Sequence, residues 1–224
     1  MANGKPVLVN LTTNPCKMCM PMGAVTAFYG IKGCMTILHG SQGCSTYIRR
    51  HMATHYNEPI DIASSSLTEH GTVYGGEENL VKGLDNLISV YDPKVIGIAT
   101  TCLAETIGED VPRIVDKYLT GRKCKPVLII TAASAGYSGT QYEGYFHALF
   151  SIVSAATANS AGNPAANSAA NSAGSAAVSE IRKYDTVNII TGPISPADTR
   201  FLKRLLDASG LSYILLPDLS ENLD

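Results

Sequence analysis

The sequence predicts an α/β protein of Rossmann-like units with parallel sheets, and three observations carry that expectation. Short continuous apolar runs recur along the chain, helical apolar stripes fall between them, and Gly and Pro punctuate the transitions. Strands covered by helices on both faces read as unbroken apolar runs, and their alternation with helices implies parallel pairing.

The first strand is Met35-Thr36-Ile37-Leu38-His39, preceded by a helix over Met22 to Tyr29. Ile60-Asp61-Ile62-Ala63 is a weaker strand. Glu77 to Val90 places Leu80, Leu84, Leu87 and Ile88 on one stripe, and Asp92-Pro93 ends it, since proline cannot continue the hydrogen-bond ladder. A strand over Val95 to Ala99 follows, then a helix with Ile114, Val115 and Leu119 inward and Gly121 past its end. Val127 to Ile130 is the next strand. Val187 to Ile190, a helix presenting Phe201, Leu202, Leu205 and Leu206 between Pro196 and Gly210, and Tyr213 to Leu216 begin a second unit.

Ala155 to Ala177 consists almost entirely of Ala, Asn, Ser and Gly, with ANSAG at Ala158 and again at Ala170. Such a segment buries little apolar area against its ordering entropy and reads as a flexible insert. The expected division is a first α/β domain over 1–154, a low-complexity insert over 155–178 and an incomplete second domain over 179–224. Three elements do not close a doubly wound sheet, so the second domain reads as truncated.

Composition narrows the function classes. With 17 Lys+Arg against 19 Asp+Glu the net charge is −2, which gives no electrostatic footprint for nucleic acid. No run of about 18 apolar residues is present to span a membrane, and the N-terminus lacks the apolar core of a signal peptide. A cytoplasmic chain with reduced thiols is the expectation, so the six cysteines are read as packers or ligands and not as a disulfide framework.

Position separates them. Cys44 follows the first strand in His39-Gly40-Ser41-Gln42-Gly43-Cys44, and Cys102 follows another in Thr100-Thr101-Cys102. Ligands of open α/β sheets collect at the strands' carboxyl ends, and a helix N-terminus favours a thiolate. Cys16-Lys17-Met18-Cys19 is a lone CxxC, weak by itself. Cys34 and Cys124 lack such a setting and read as buried packers. Zinc sites show close-spaced ligand pairs, whereas these candidates are strung over three loops, as one shared cluster requires. His51 and His55 have helical i, i+4 spacing, but Met52 stands where a zinc helix carries its acid, so a surface or packing role is expected. His39 either lines the Cys44 turn or makes a structural hydrogen bond. Gly71 to Gly76 lacks a dinucleotide fingerprint, and Ser41, Ser134 and Ser138 lack a nucleophile elbow.

Asn14-Pro15-Cys16-Lys17-Met18-Cys19, HGSQGC ending at Cys44, TTCLAETIGEDV over Thr100 to Val111, Ala63 to Glu69, Tyr74-Gly75-Gly76 and Leu215 to Ser220 together resemble the nitrogenase component 1 family. The resemblance covers nearly the whole chain except the Ala/Asn/Ser segment. It implies a β-type subunit in which Cys19, Cys44 and Cys102 hold an iron–sulfur cluster, of 4Fe–4S type, at a subunit interface; Cys16 has no counterpart there, which leaves the binding member of the CxxC open. Two β-type proteins fit. The first reading is the N subunit of the scaffold that matures the iron–molybdenum cofactor, an assembly protein more than a catalyst by itself. The short N-terminal lead, the Leu216 to Ser220 segment and Gly136, standing where catalytic β subunits carry a serine, point that way. The alternative is the β subunit of the molybdenum–iron protein, which keeps all three cysteines. The scaffold reading implies an α2β2-type heterotetramer with a homologous E subunit that mainly holds the iron–molybdenum cofactor precursor. It also implies the nitrogenase iron protein and precursor-donor proteins as partners. Glu105 is read as a salt-bridging or capping residue beside Cys102.

Overall fold

The computed structural model describes residues 19–121, 127–162 and 186–220. Cys16, Cys124 and residues 163–178 of the Ala/Asn/Ser segment lie outside the described residues. The elements are α1 (Met20–Tyr29), β1 (Cys34–His39), α2 (Gln42–Tyr56), β2 (Ile62–Ser64), α3 (Glu69–Tyr74), α4 (Glu77–Tyr91), β3 (Val95–Thr100), α5 (Cys102–Thr106) and α6 (Val111–Gly121). They continue with β4 (Leu128–Ala132), α7 (Gln141–Gly162), β5 (Thr186–Ile190), α8 (Pro196–Ala208) and β6 (Ser212–Leu216). No described helix is long and apolar enough to cross a membrane.

The larger sheet has the order β2-β1-β3-β4 and is parallel throughout, with Leu38 beside Ser64, His39 beside Thr100 and Ala99 beside Ala132. Side chains alternate between two apolar layers. Ile37, Ile96 and Ile98 meet Leu80, Leu84, Ile114 and Val115 from α4 and α6. Leu38, Ala99 and Ile130 meet Val25, Phe28, Ile48, Met52, Tyr145 and Leu149 from α1, α2 and α7. This is the two-faced burial that unbroken apolar runs predict.

Glycines set the spacing of the second layer. A β-carbon at Gly23 would lie 1.8 Å from the Gln141 carbonyl oxygen, and one at Gly144 would lie 2.1 Å from that of Met20, so α1 and α7 approach closely only because both lack side chains. A β-carbon at Gly97 in β3 would sit 2.4 Å from the Phe28 ring, which therefore rests on bare strand backbone. All ten residues of α1 are buried between the sheet and α7.

Several boundaries differ from expectation. Ile60 lies outside β2 as a buried anchor whose carbonyl accepts the Arg49 Nε proton at 2.8 Å. In α6 the inward stripe is Val111, Ile114, Val115 and Tyr118, while Leu119 is 46% exposed. One residue beyond Tyr118 turns about 100° away from that face, and Gly121 closes the helix from within. Helix α7 carries on through Gly162 into the segment read as flexible; alanine, the strongest helix former, outweighs the interleaved Asn and Ser there.

The second unit is a parallel β5–β6 pair, with Ile190 beside Leu216, and α8. Phe201 and Leu205, expected inward, are 61% and 53% exposed, because the described part of this unit offers α8 only two strands to cover it. The unit is tied to the first by Tyr145 Oη donating to the Thr191 carbonyl at 2.8 Å and by the Asp218 N–H donating to the Gly30 carbonyl at 2.8 Å. Arg200 pairs with Glu58, and Leu219 enters the core around Phe28.

Candidate functional site

The chain leaves β1 toward β2 on one side of the sheet and leaves β3 toward β4 on the other. A parallel sheet opens a crevice at the carboxyl ends of two such strands. His39 ends β1 and Thr100 ends β3, so the loops that follow them flank this crevice. They meet at Gly40, which has φ 151°: a β-carbon there would lie 1.7 Å from Thr101 Oγ1, so only glycine lets the two loops touch.

Cys44 is the third residue of α2, its N–H donating to the Ser41 carbonyl at 3.3 Å and its sulfur 3.7 Å from Ser41 Oγ. Cys102 opens α5 directly after β3, and Cys19 caps the start of α1, bridged through its backbone to Thr140 ahead of α7. The loop after β4 supplies the fourth wall. The Gly136 N–H donates to Cys102 Sγ at 3.1 Å, and a β-carbon at Gly136 would lie 2.4 Å from Cys19 Sγ and 3.2 Å from Cys102 Sγ. Three partly buried thiols predicted from the sequence are thus gathered by four separate segments.

At Cys19 burial and neighbouring sulfur work together. Burial, then the neighbouring Cys102 and Cys44 sulfurs, push the Cys19 thiol up to about 11, against a lowering hydrogen bond from the Met20 backbone. A bound cation would reverse this balance, because thiolates that repel one another are each stabilised by positive charge between them. Among the described residues no three His, Cys, Asp or Glu side chains close around the position of a single metal ion. Soft thiolates on separate elements, beside a side-chain-free wall whose N–H is aimed at sulfur, fit a polynuclear iron–sulfur group better than one ion.

The remaining candidates fall elsewhere. Cys34 is buried at the opposite end of β1, where burial pushes its thiol up to about 12; it packs. His51 packs against Tyr47 with ring centres 4.2 Å apart and planes tilted by 54°, and His55 lies beside Tyr56, both on α2. His39 is fully buried and contacts Ser65 Oγ through Nδ1 at 2.9 Å, the structural hydrogen bond of the two roles weighed for it. Glu105 accepts from Thr100 Oγ1 at 2.5 Å, bracing the turn into α5. Sequence reasoning missed Glu109, whose carboxylate accepts the Gly76 N–H at 2.6 Å and faces His39 Nε2 at 3.6 Å. Nothing in a Gly-Glu-Asp turn before a helix signals a buried role. Gly136 stands in the sequence only as a glycine where the family resemblance puts a serine; its use as a wall against two sulfurs shows only in the fold.

Fold and site define an α/β protein that gathers cysteines at the switch point of a parallel sheet. Residues 19–220 match the family described as nitrogenase component 1 type oxidoreductase, and the chain belongs to that family. It is 34% identical over 215 residues to the nitrogenase molybdenum-iron protein beta chain of Clostridium pasteurianum, covering 96% of this chain and 43% of that one. It is 35% identical over 217 residues to the corresponding beta chain of Sinorhizobium fredii, covering 96% and 39%. The solved structure titled nitrogenase Cp1 at pH 6.5 superposes with a TM-score of 0.75 at 32% identity, covering 98% of this chain and 43% of that one. The chain therefore spans about two-fifths of the length of these relatives. Both beta chains carry the name that the sequence reading held as its alternative, and the scaffold N subunit read first is not what they are called.

Proposed function

We propose that the chain is a β-type subunit of the molybdenum–iron protein kind, supplying Cys19, Cys44 and Cys102 to an iron–sulfur cluster shared with a homologous α-type partner. The observation that carries this reading is that the Cys19 and Cys102 sulfurs meet beside Gly136, with Cys44 near enough to raise the Cys19 thiol's pKa. The names of the relatives support the catalytic form. When bound, such a cluster supplies reversible one-electron transfer. The chain's own residues hold and shield it. Cys44 is fixed by the first turn of α2 and Cys102 by the first turn of α5, while Cys19 is fixed by the buried α1. The Gly136 N–H, aimed at Cys102, lowers charge density on that sulfur, a contact of the kind that tunes cluster potential. In this reading residues 1–154 form the cluster-binding domain, 155–178 an insert that α7 enters as far as Gly162, and 179–224 belong to a second domain.

The scaffold reading stands second, on one observation: the position beside Cys19 and Cys102 is glycine, where the family resemblance puts a serine in catalytic β subunits. In that reading the α-type partner is an E subunit, and the iron protein and precursor donors serve cofactor maturation.

The deciding experiment is anaerobic co-purification with an α-type partner, followed by iron analysis and assay with the iron protein. Iron that falls on Cys44→Ala together with dinitrogen reduction supports the catalytic form. Iron that falls on Cys44→Ala without reduction, but with transfer of a cofactor precursor to cofactor-free enzyme, supports the scaffold. Iron content indifferent to Cys44→Ala overturns both.

A further inference from the structure

Behind the cysteine crevice lies a buried polar group that the proposed function does not use. His39 and Glu109 have side chains 0% and 9% exposed. The Glu109 carboxylate faces His39 Nε2 at 3.6 Å, and among the described residues nothing stands within hydrogen-bonding reach of that nitrogen. On the other side of the ring, Nδ1 lies 2.9 Å from Ser65 Oγ, which also accepts the Gly40 N–H at 3.0 Å. The second Glu109 oxygen takes the Gly76 N–H at 2.6 Å. Glu105, the other nearby carboxylate, is engaged by Thr100 Oγ1.

These contacts admit one consistent proton arrangement. A carboxylate accepts only, so the ring nitrogen facing it is best served by carrying the proton. A neutral ring then leaves Nδ1 as acceptor, and the Ser65 hydroxyl, already accepting from Gly40, has its proton free to give. Burial holds the His39 pKa below the usual histidine value against the pull of Glu109, in keeping with a neutral ring. Gly40 is also where the Cys44 loop touches Thr101, the residue before Cys102.

We propose that Ser65, His39 and Glu109 form a buried strut in which His39, as the Nε2–H tautomer, ties the Gly40 turn before Cys44 to the segment that follows Cys102, making His39 a positioning residue for the sulfur set. The strut stands on its own geometry; its bearing on a cluster rests on the function proposed above.

The test uses the full chain with 15N-labelled histidine, the His39 ring signals being identified by their loss in His39→Asn. The expected wild-type spectrum shows Nε2 protonated and Nδ1 unprotonated. Glu109→Gln keeps an acceptor for Gly76 but presents an NH2 to the ring, so the order of the two nitrogens should reverse. A packing role alone would not move that order. Amide exchange gives a second readout: Ser65→Ala should speed Gly40 at least tenfold and leave Gly76 slow, whereas His39→Asn should speed Gly76 and leave Gly40 slow. A wild-type ring protonated on Nδ1, or an order unchanged in Glu109→Gln, overturns the strut. With a reconstituted cluster, His39→Asn should weaken iron retention about tenfold, the usual cost of losing a group that orients a ligand. Cys44→Ala separates the two claims, because it should lose iron while keeping the wild-type ring order. Retained iron there removes the cluster reading and leaves the strut standing.

Discussion

The backbone N–H of Gly136 reaches the sulfur of Cys102 at 3.1 Å, and the space where Gly136 would carry a β-carbon is held by the sulfur of Cys19, 2.4 Å away. One residue without a side chain thus donates to one thiol and makes room for another. Gly136→Ala should displace the Cys19 sulfur at an overpacking cost of roughly 1–3 kcal/mol. It should lower the melting temperature and also cut the iron retained after reconstitution. A variant with wild-type iron and stability would show that the two sulfurs do not meet at this wall.

The cysteines should separate into two groups. Cys19→Ala, Cys44→Ala and Cys102→Ala should each lower iron per chain in the partnered protein, while Cys34→Ala should leave it unchanged. Cys34 is buried at the far end of β1, so its truncation acts on packing alone and costs about 1 kcal/mol. Iron analysis beside thermal melting decides this, and loss of iron in Cys34→Ala would contradict the site.

Close packing of α1 on α7 should not tolerate a single added methyl. At Gly23 and Gly144 the new carbon would meet backbone oxygen, which cannot rotate away. Each change to Ala should destabilise by more than about 1–3 kcal/mol, at or above the usual overpacking range. Urea midpoints measure it. Gly43→Ala, within α2 and with nothing within 4 Å of the added carbon, is the matched control and should leave stability unchanged or raise it by up to about 1 kcal/mol.

The second unit should loosen in acid. Burial opposes the charge on Asp218, but hydrogen bonds from Lys203 at 2.7 Å and from Ser220 outweigh it and hold the carboxyl below its usual range. A carboxylate held low lends stability above its unfolded value of 3.8 and loses it as pH falls through the lower folded value. Urea midpoints should therefore drop below about pH 4, and Asp218→Asn should flatten that part of the profile. An equally steep fall in the variant would place the acid sensitivity elsewhere.

What the sequence made legible follows from how local each signal is. The six strands and the α4 stripe could be read from apolar residues alone; in β1 and β3 burial on both faces leaves its mark on consecutive residues, while β5 and β6 keep the apolar run though much of it is exposed in the described structure. Two of the three cysteines were legible for a related reason: Cys44 and Cys102 each sit just past a strand end, where topology and not long-range detail puts ligands, whereas Cys19, in a lone CxxC, stood out only through the family resemblance. Contacts between distant segments were not legible. Glu109 pairs with a histidine 70 positions earlier, and Gly136 meets Cys19 across most of the first unit; neither leaves a local pattern. The stripes of α6 and α8 were misjudged at Leu119, Phe201 and Leu205 because spacing marks a face without saying how wide its cover is.

Helix α1 has no solvent face, and Cys19 is its cap. A ligand on an exposed loop would have its conformational freedom removed at the moment of metal capture, and that loss would weaken capture. Here the freedom of Cys19 is surrendered when the core condenses, since its backbone cannot shift without moving a helix wedged between a sheet and α7. In the ligand role proposed for Cys19, the sulfur should already be held in place before any cluster binds, so loading would become a matter of access and charge neutralisation and not of refolding.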